Sequence, residues 1–165
     1  MNKKLIYLLM FVFTLGLSFT ACGSDDDDDY AKEIAATYAG TLTIPGLSAT
    51  PITIDKDIAL TRTAENKAKV ELKDLSIPMN PMDPAVVFPV GTIIVDNIDV
   101  SKSGDTYTLK ETSTTLKVPS LLGDLVDAGV KVSGTVKDNK LALNINVTNV
   151  PVVNTLAITF AGAKK

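Results

Sequence analysis

The chain has few residues that can carry covalent or acid–base chemistry. Its 165 residues include no histidine and a single cysteine, Cys22. A serine or cysteine nucleophile activated by histidine is therefore excluded, and so is the usual zinc site built from His and Cys. The ten glycines are scattered and form neither the GxGxxG nor the GxxxxGK phosphate loop. We expect no enzymatic activity, no metal and no other cofactor.

Some carboxylates are spaced for paired acid–base work. Asp55 and Asp57 are two residues apart in an alternating segment, which places both on one face of a strand and the apolar Ile54 on the other. This spacing favours a solvated outer face over a catalytic pair, and a serine–lysine or carboxylate mechanism stays open. The remaining acidic candidates are Asp96, Asp124 and Asp127.

The first 21 residues have the organisation of a targeting segment. Two lysines precede an apolar run from Leu5 to Leu17, and small and polar residues then lead to Ala21. This order is typical of a secretory signal peptide. The run is shorter than the roughly 20 residues that a membrane-spanning helix needs, so a cleaved signal over 1–21 is favoured over an uncleaved anchor.

The residues that end in Cys22, "LSFTAC", resemble a bacterial lipobox. The resemblance implies cleavage between Ala21 and Cys22, followed by acylation of the cysteine sulfur and the new amino group. Two or more acyl chains give the stable membrane anchoring that one chain does not. A buried free cysteine is the alternative. We expect Cys22 to be lipidated and to attach the protein to a membrane.

Five consecutive aspartates follow the cysteine almost directly. Like charges in one block repel each other, so we expect residues 22–36 to form an extended, disordered tether. The serine and first aspartates resemble the surface-export signal of Bacteroidota lipoproteins, which implies display on the outside of the outer membrane. A spacer on a periplasm-facing lipoprotein is the alternative, whereas a calcium loop would space its ligands around a glycine. The candidate export signal is Ser24, Asp25, Asp26 and Asp27.

The charge of the remaining domain is balanced. Once the signal segment and the aspartate run are set aside, the basic and acidic residues are equal in number. Nucleic-acid binding needs clustered Lys and Arg to displace counterions, and Arg62 is the only arginine in the chain. We therefore expect no nucleic-acid partner.

From Thr37 onward the hydrophobic period is two residues, which predicts antiparallel strands with one buried face. Eight such strands with hairpin connections favour an all-β, closed up-and-down barrel over 37–165, with a β-sandwich as the alternative. We expect turns at Ala64–Asn66 and Ser103–Gly104, and one or two helical turns or an irregular plug within Pro119–Ala128. The predicted strands are 37–44, 51–62, 67–75, 92–101, 105–112, 129–137, 140–148 and 154–162.

The segment Val130–Val147 predicts the clearest hairpin. Asp138 and Asn139 tolerate positive φ and suit a two-residue turn. With this turn, nearly all cross-strand pairs on one face are apolar, and a slip of one residue would scramble both faces. The predicted pairs on that face are Val136–Leu141, Gly134–Leu143, Val132–Ile145 and Val130–Val147.

Half of the eight prolines lie in one segment, Ser76–Val90. Proline fixes φ and removes a backbone donor, so we expect this segment not to form a regular strand. An apolar, stiff loop at the mouth of a barrel is suited to be a lid or a docking surface for a partner. The simpler interpretation is a cap over one end of the barrel.

Three phrases look like the calycin-like β-barrel lipoproteins of Bacteroidota: "YAGTLTI", "FPVGTIIVDNIDVSKSGDTYTL" and "VSGTVKDNKLALNINVTNVP". The likeness covers about Thr37 to Lys165, and the family is similar in barrel shape to lipocalins and fatty-acid-binding proteins. It implies a non-catalytic outer-membrane lipoprotein that binds a small apolar molecule or a partner protein.

An eight-stranded barrel is either filled by its own side chains or holds one small ligand. With a filled barrel, the protein would instead be an accessory subunit of an envelope complex. The large apolar side chains of the inward faces and of the proline segment would contact a ligand, and Tyr38, Tyr107 and Phe160 are equally suited to a packed core. The candidate ligand contacts are Tyr38, Tyr107, Phe160, Phe88, Met79 and Met82.

Overall fold

The computed structural model describes residues 28–47, 50–78, 87–120, 124–151 and 154–165. The predicted signal peptide, the lipidation site Cys22, the export-signal residues and the candidate contacts Met79 and Met82 lie outside them. The described residues form a short helix, α1, and eight strands. Their bounds are α1 Tyr30–Ile34, β1 Ala36–Ile44, β2 Ile52–Ala64, β3 Lys67–Pro78, β4 Val87–Ser103, β5 Thr106–Pro119, β6 Leu125–Lys137, β7 Lys140–Val150 and β8 Asn154–Lys164.

The strands form a closed up-and-down barrel. Each strand pairs antiparallel with the next along the chain, and β1 also pairs antiparallel with β8. The closed sheet confirms the predicted all-β barrel, and the alternative of a β-sandwich is wrong. Closure also removes the two free edges that an open sheet would present.

The interior is built from the alternating apolar residues that predicted the strands. In β7, Leu141, Leu143, Ile145 and Val147 are buried, and the residues between them are exposed. Each such Leu, Ile or Val stabilises the fold by about 1.5–3 kcal/mol relative to an exposed side chain. Among the described residues, tyrosine is the only polar type that is fully buried.

The β6–β7 hairpin has the predicted register. Val136 pairs with Leu141 and Val130 with Val147, and the two pairs between them are also as expected. Asp138 and Asn139 have φ of 49° and 59°, which is the left-handed conformation that a type I′ turn requires at both positions.

Two local predictions are wrong. The turn between β4 and β5 is Gly104–Asp105 rather than Ser103–Gly104, because Ser103 still pairs with Thr106. The expected helical turns do not form at Leu125–Ala128, which is the start of β6 and pairs with the end of β5. There Ala128 is buried, which continues the alternation of β6.

The proline segment is more regular than expected. β3 continues through Pro78, and β4 begins at Val87, with Ser76 opposite Pro89 and Ile77 opposite Phe88. The prediction that no strand forms is therefore wrong for residues 76–78 and 87–90. Register shifts interrupt the ladder beside Leu75, and each of these strand ends has a ladder partner on one side only. Proline is tolerated at such bulges and edges because a missing N–H there breaks no ladder bond.

The folded part of the chain begins earlier than residue 37. Helix α1 lies within the segment 22–36, which the sequence assigned to a disordered tether, so that assignment is wrong for residues 30–34. Ala31 and Ile34 of α1 are buried in the barrel core. The Tyr38 hydroxyl donates a hydrogen bond to the Ile34 carbonyl over 2.8 Å, which satisfies an acceptor that the end of a helix leaves free.

Candidate functional site

The two ends of the barrel are built differently. One end, the helix end, carries α1 and the three two-residue turns Glu65–Asn66, Gly104–Asp105 and Asp138–Asn139. The other end, the loop end, carries the connections β1–β2, β3–β4, β5–β6 and β7–β8. Tight turns and a helix close the helix end, which leaves the loop end and the wall as the possible routes to the interior.

Asp29 fastens the helix end. Its Oδ1 caps α1 by accepting a hydrogen bond from Lys32 N over 3.3 Å, and it also accepts one from Asn66 N over 3.1 Å. Its Oδ2 pairs with Arg62, the only arginine. Tyr30 N donates in return to Asn66 Oδ1 over 2.9 Å. Partial burial opposes ionisation of Asp29, but the bonds from Arg62, Asn66 and Lys32 outweigh it and lower the pKa of Asp29.

A second polar cluster lies beside α1. Glu33 accepts hydrogen bonds from the Tyr107 hydroxyl and from Lys102 Nζ, the latter over 3.3 Å. Lys102 Nζ lies 4.9 Å from the centre of the Tyr107 ring, and Tyr30 meets that ring edge-on at 6.4 Å. The Tyr107 bond, helped by Lys102, lowers the pKa of Glu33. Tyr107 and Glu33 raise the pKa of Lys102. Each group in this cluster already has a partner within it.

Four of the candidate ligand contacts lie among the described residues, and the structure does not bring these four together. Tyr38 and Phe160 are fully buried wall residues, and burial raises the pKa of the Tyr38 hydroxyl. Tyr107 lies at the helix end, while Phe88 is partly buried in the β3–β4 hairpin toward the loop end. Tyr38 and Phe160 therefore pack the core, and Tyr107 belongs to the polar cluster beside α1.

Some neighbouring strands of the barrel are paired over only part of their length. β2 and β3 are paired from Ile58 to Ala64, and the remainder of β2 toward the loop end pairs with β1 alone. A lysine bridges this gap, because Lys56 Nζ donates to the carbonyl oxygens of Asp74 at 3.0 Å and Lys73 at 3.4 Å. These two bonds tie β3 to β2 where the ladder is missing.

A longer interruption separates β4 from β5. These strands pair only from Val100 to Ser103 with Thr106 to Leu109, although they are 17 and 14 residues long. Beyond these pairs, β4 is laddered to β3 alone and β5 to β6 alone. We call the stretch without ladder pairs, residues 87–99 of β4 and 110–119 of β5, the β4–β5 seam. The two strands stay side by side beyond the last ladder pair. Lys67, and after it Lys110 across the seam, lower the pKa of Asp99.

Two threonines face the interior beside the seam. Thr112 lies directly opposite Val132, and Thr114 directly opposite Val130. Both valines are fully buried, and directly opposed residues share a face of the sheet, so both threonines point inward. Sequence reasoning missed this pair because the predicted fifth strand stopped at residue 112. The alternation of Thr114, Leu116 and Val118 was the signal that extends it.

The loop end exposes part of the apolar lining. Some inward residues of β2, β4, β5 and β6 are only partly buried although they pack against the core. Each of them keeps part of its apolar side chain accessible to solvent near this end. They are Ile52, Ile54, Phe88, Leu116 and Val126.

A groove of about 800 Å³ lies on the outer face of β1, β2 and β3. Its floor has small residues, among them Ala39, and its polar lining is largely bonded to itself. Asp55 accepts a hydrogen bond from Thr41 Oγ1 over 2.9 Å, and Asp57 pairs with Lys165 at 2.5 Å. This confirms the solvated outer face predicted for the two aspartates.

The other acidic candidates also lie on the surface. Asp96, Asp124 and Asp127 are exposed, and Asp127 pairs with Lys117 at 2.6 Å. Within the described part of the chain, no cluster of carboxylates or Cys is suited to hold a metal ion. No helix among the described residues is long and apolar enough to cross a membrane.

Comparison with known proteins agrees with this architecture. A crystal structure of a protein from Bacteroides fragilis NCTC 9343 superimposes on this chain with a TM-score of 0.58 at 14% sequence identity. That protein is assigned provisionally to the outer membrane. The match covers 82% of this chain and 53% of the other, so the chain spans about half the length of that protein. At this identity the likeness shows the fold alone. No curated protein matches the chain.

The sequence also matches a family model. The calycin-like beta-barrel domain matches residues 34–163, which extends from the end of α1 to the end of β8. The matched region includes every strand of the closed barrel and the buried residues that fill it. The chain therefore belongs to the calycin-like β-barrel domain family.

Proposed function

We propose that this protein is a non-catalytic lipoprotein of the bacterial outer membrane, displayed at the cell surface, that binds a small apolar molecule in its barrel. The observation that carries the proposal is the apolar lining that stays partly accessible, with Ile52, Ile54, Phe88, Leu116 and Val126 packed against the core yet not fully buried. Apolar side chains that stay accessible on the inward face of a barrel favour a lipid-like or other hydrophobic guest.

The proposed anchor is supported by the position of Cys22. This residue follows a sequence with the features of a signal peptide and precedes the folded domain by only a few residues. Metabolic labelling with palmitate tests the anchor. We expect label on the wild-type chain and none on Cys22→Ser, and equal labelling of the two would exclude Cys22 as the acylated residue.

Surface display is supported by the serine and aspartates that follow Cys22. We expect external protease to degrade the protein on intact cells, and we expect replacement of Asp25, Asp26 and Asp27 by alanine to protect it. Degradation that is unchanged by this replacement would remove these aspartates as the export signal. Protection of the wild-type protein would instead favour a periplasm-facing orientation.

Ligand binding is tested by native mass spectrometry of the full chain with Cys22→Ser after incubation with total lipid extract. We expect a retained mass that is released by organic solvent. The absence of any retained mass across extracts would contradict the binding role. The lack of histidine and the mutual bonding of the described polar clusters support a role without catalysis.

A second candidate is a structural or accessory subunit of an envelope complex. It is favoured by the dense apolar filling of the wall, in which Tyr38 and Phe160 are used for packing. Crosslinking in intact cells distinguishes the two roles. A stable heteromeric product together with no retained lipid would favour the accessory subunit, and a strictly monomeric profile would count against it.

A further inference from the structure

We propose that the protein forms a two-fold symmetric dimer through the outer face of β7, β8 and β1, toward the helix end. The partner is a second copy of this chain. In the dimer, the basic edge formed by the β6–β7 hairpin of one copy lies against the acidic groove on β1, β2 and β3 of the other. The inference goes beyond the proposed function, because it uses the outside of the barrel and leaves the interior free.

The outer face of β8 carries no charge. Its outward residues, from Thr155 to Ala163, are all threonine or alanine, and all are exposed. The outward residues beside them are also uncharged, as with Asn144 on β7 and Thr43 on β1, which flank Thr159. About a quarter to a third of an ordinary soluble surface is charged, whereas charged residues are depleted in the core of a protein interface. The face therefore has the composition of an interface core.

Charges of opposite sign border this face. On the β6–β7 side, Lys137 and Lys140 are exposed and directly opposite each other, and neither forms an ion pair with any described residue. Two like charges in this position repel each other. On the β2 side lies the groove, whose lining has four carboxylates and two lysines. Among those carboxylates, Asp55 uses one oxygen to accept a hydrogen bond from Thr41 and forms no ion pair with the described residues.

This order of charges is self-complementary about β8. One row across the strands runs from Lys140 through Ala163 and Ala39 to Asp57. A two-fold axis along β8 sets the lysine side of this row in one copy against the aspartate side in the other. Lys140 then faces β1 of the other copy, and Asp55 of that copy is offset by two residues, about 7 Å along the strand, within reach of a lysine side chain.

The shape of the surface agrees with this arrangement. A barrel is convex, so two barrels touch first along one strand. On β8 the small side chains of Ala161 and Ala163 let the two backbones approach closely. Beyond β8 the surface is hollow, because the groove lies there and is lined by the small residues Ala39 and Ala59. The protruding end of the β6–β7 hairpin of the other copy therefore has room at the groove.

The axis along β8 also suits an anchored protein. β8 runs toward the helix end, and rotation about this axis keeps that direction, so both helix ends point the same way. Two copies anchored through Cys22 would then reach one membrane. Three strands are only about 10 Å wide between their centres, which is narrow for a dimer that is stable in dilute solution. Confinement to a membrane raises the effective concentration, and this step rests on the proposed anchor.

Disulfide crosslinking in intact cells tests the dimer. Ala161→Cys places a thiol beside the two-fold axis, where it meets the same thiol of the other copy. Ser101→Cys places a thiol on the exposed face of β4, on the opposite side of the barrel, as the matched control. Both chains keep Cys22, and palmitate labelling shows whether this cysteine is acylated in them. The parent chain without an introduced cysteine gives the background with the same oxidant.

We expect Ala161→Cys to form the disulfide-linked dimer about tenfold faster than Ser101→Cys, because the interface holds its two thiols together, whereas the control depends on random collisions. Equal rates in palmitate-labelled chains would overturn the dimer and leave the anchor standing. Chains without palmitate would remove the anchor, and the same two rates measured with purified protein would then decide the dimer.

Exchange of charges tests the pairing across the axis. We expect Lys140→Glu to slow crosslinking of the Ala161→Cys chain by about three- to tenfold, because the symmetry removes the pair with Asp55 twice. Asp55→Lys added to the same chain restores opposite charges and should restore the rate, which also shows that the chain folds. Lys110→Glu, a reversal of an exposed charge on β5, should leave the rate unchanged. A double variant as slow as Lys140→Glu alone would remove this pair from the interface.

Discussion

Gly40 and Gly162 lie directly opposite each other where β1 and β8 close the barrel. A Cβ added to Gly40 would lie 2.2 Å from the Ala161 carbonyl oxygen, and one added to Gly162 would lie 2.4 Å from the Phe160 ring and 2.7 Å from the Ala39 carbonyl oxygen. The two carbonyl oxygens are backbone atoms, which cannot rotate away as a side chain can. The two glycines therefore permit the close approach of the first and last strands.

We expect Gly40→Ala to lower the free energy of unfolding by about 1–3 kcal/mol, the usual cost of overpacking. Urea denaturation of the full chain with Cys22→Ser measures the change. Ala157→Ser, on the exposed face of β8, is the control and should stay within about 0.5 kcal/mol of the parent. If the Gly40→Ala chain were as stable as its parent, β1 and β8 could move apart at their junction without loss of stability.

The lowered pKa values of Asp29 and Glu33 make the helix end sensitive to acid. Despite the opposing effect of partial burial on Asp29, bonds from Arg62 and Tyr107 favour the ionised carboxylates in the folded state. A folded-state pKa below the unfolded value gives stability that is present above the unfolded pKa and is lost as the pH falls through the folded one. The loss is therefore expected below about pH 4.

Asp29→Asn isolates the charge, because asparagine is also a good N-cap residue. We expect this variant to be less stable than the parent at pH 7, and we expect the difference to shrink as the pH falls below about 4. Urea midpoints at several pH values measure it, with the exposed Asp96→Asn as the control. A difference that stays constant down to pH 2 would contradict a contribution from the Asp29 charge.

Among the secondary-structure elements, the strands were the most predictable. The β6–β7 hairpin could be predicted to the residue, because one turn position makes the buried face apolar and every other register scrambles it. The prediction of β5 stopped early, because a register shift between Leu109 and Thr112 interrupts the alternation. Prolines also shortened the predicted β3 and β4, since the sequence does not reveal which strand edges lack a partner.

The type I′ turn of this hairpin gives a test at the scale of the element. We expect Asn139→Gly to raise the free energy of unfolding by about 0.5 kcal/mol, because glycine adopts its φ of 59° without steric cost. We expect Asn139→Ala to lower it by about 1 kcal/mol. Thermal and urea unfolding measure both. The opposite order of the two variants would contradict the turn assignment.

Helix α1 and the seam could not be predicted because both depend on distant contacts. Five residues are too few to show a helical period, and the preceding aspartates suggested disorder. Asp29 becomes ordered through Arg62, which is 33 positions later in the chain. The extent of the β4–β5 pairing could not be predicted either, because hydrophobic alternation does not show which residues pair when a strand contains a bulge.

At the scale of the whole molecule, the position of α1 fixes where the tether leaves the barrel. Asp29 lies at the helix end, and seven positions separate it from Cys22. A fully extended chain of this length spans about 25 Å, which is less than the roughly 30 Å height of a barrel of such strands. If Cys22 is the anchor, the helix end faces the membrane and the loop end faces away.

Distance-dependent quenching tests this orientation on the lipidated protein in vesicles. A fluorophore is attached at Glu65→Cys on the helix end or at Leu125→Cys on the loop end, where Leu125 is 64% exposed. With a quencher on the lipid headgroups, we expect stronger quenching at position 65 than at position 125. Equal or reversed quenching would contradict the orientation. The unlipidated Cys22→Ser forms of both variants provide the baseline.

The clasp of Asp29 with Arg62 and Asn66 has a mechanical consequence. Any pull on an anchored chain enters the domain at this clasp, before it reaches the first strand. The load is then divided between the ion pair, the capping bonds of α1 and the buried side chains of Ala31 and Ile34. These contacts would therefore have to break before tension in the tether reached the β1–β8 junction.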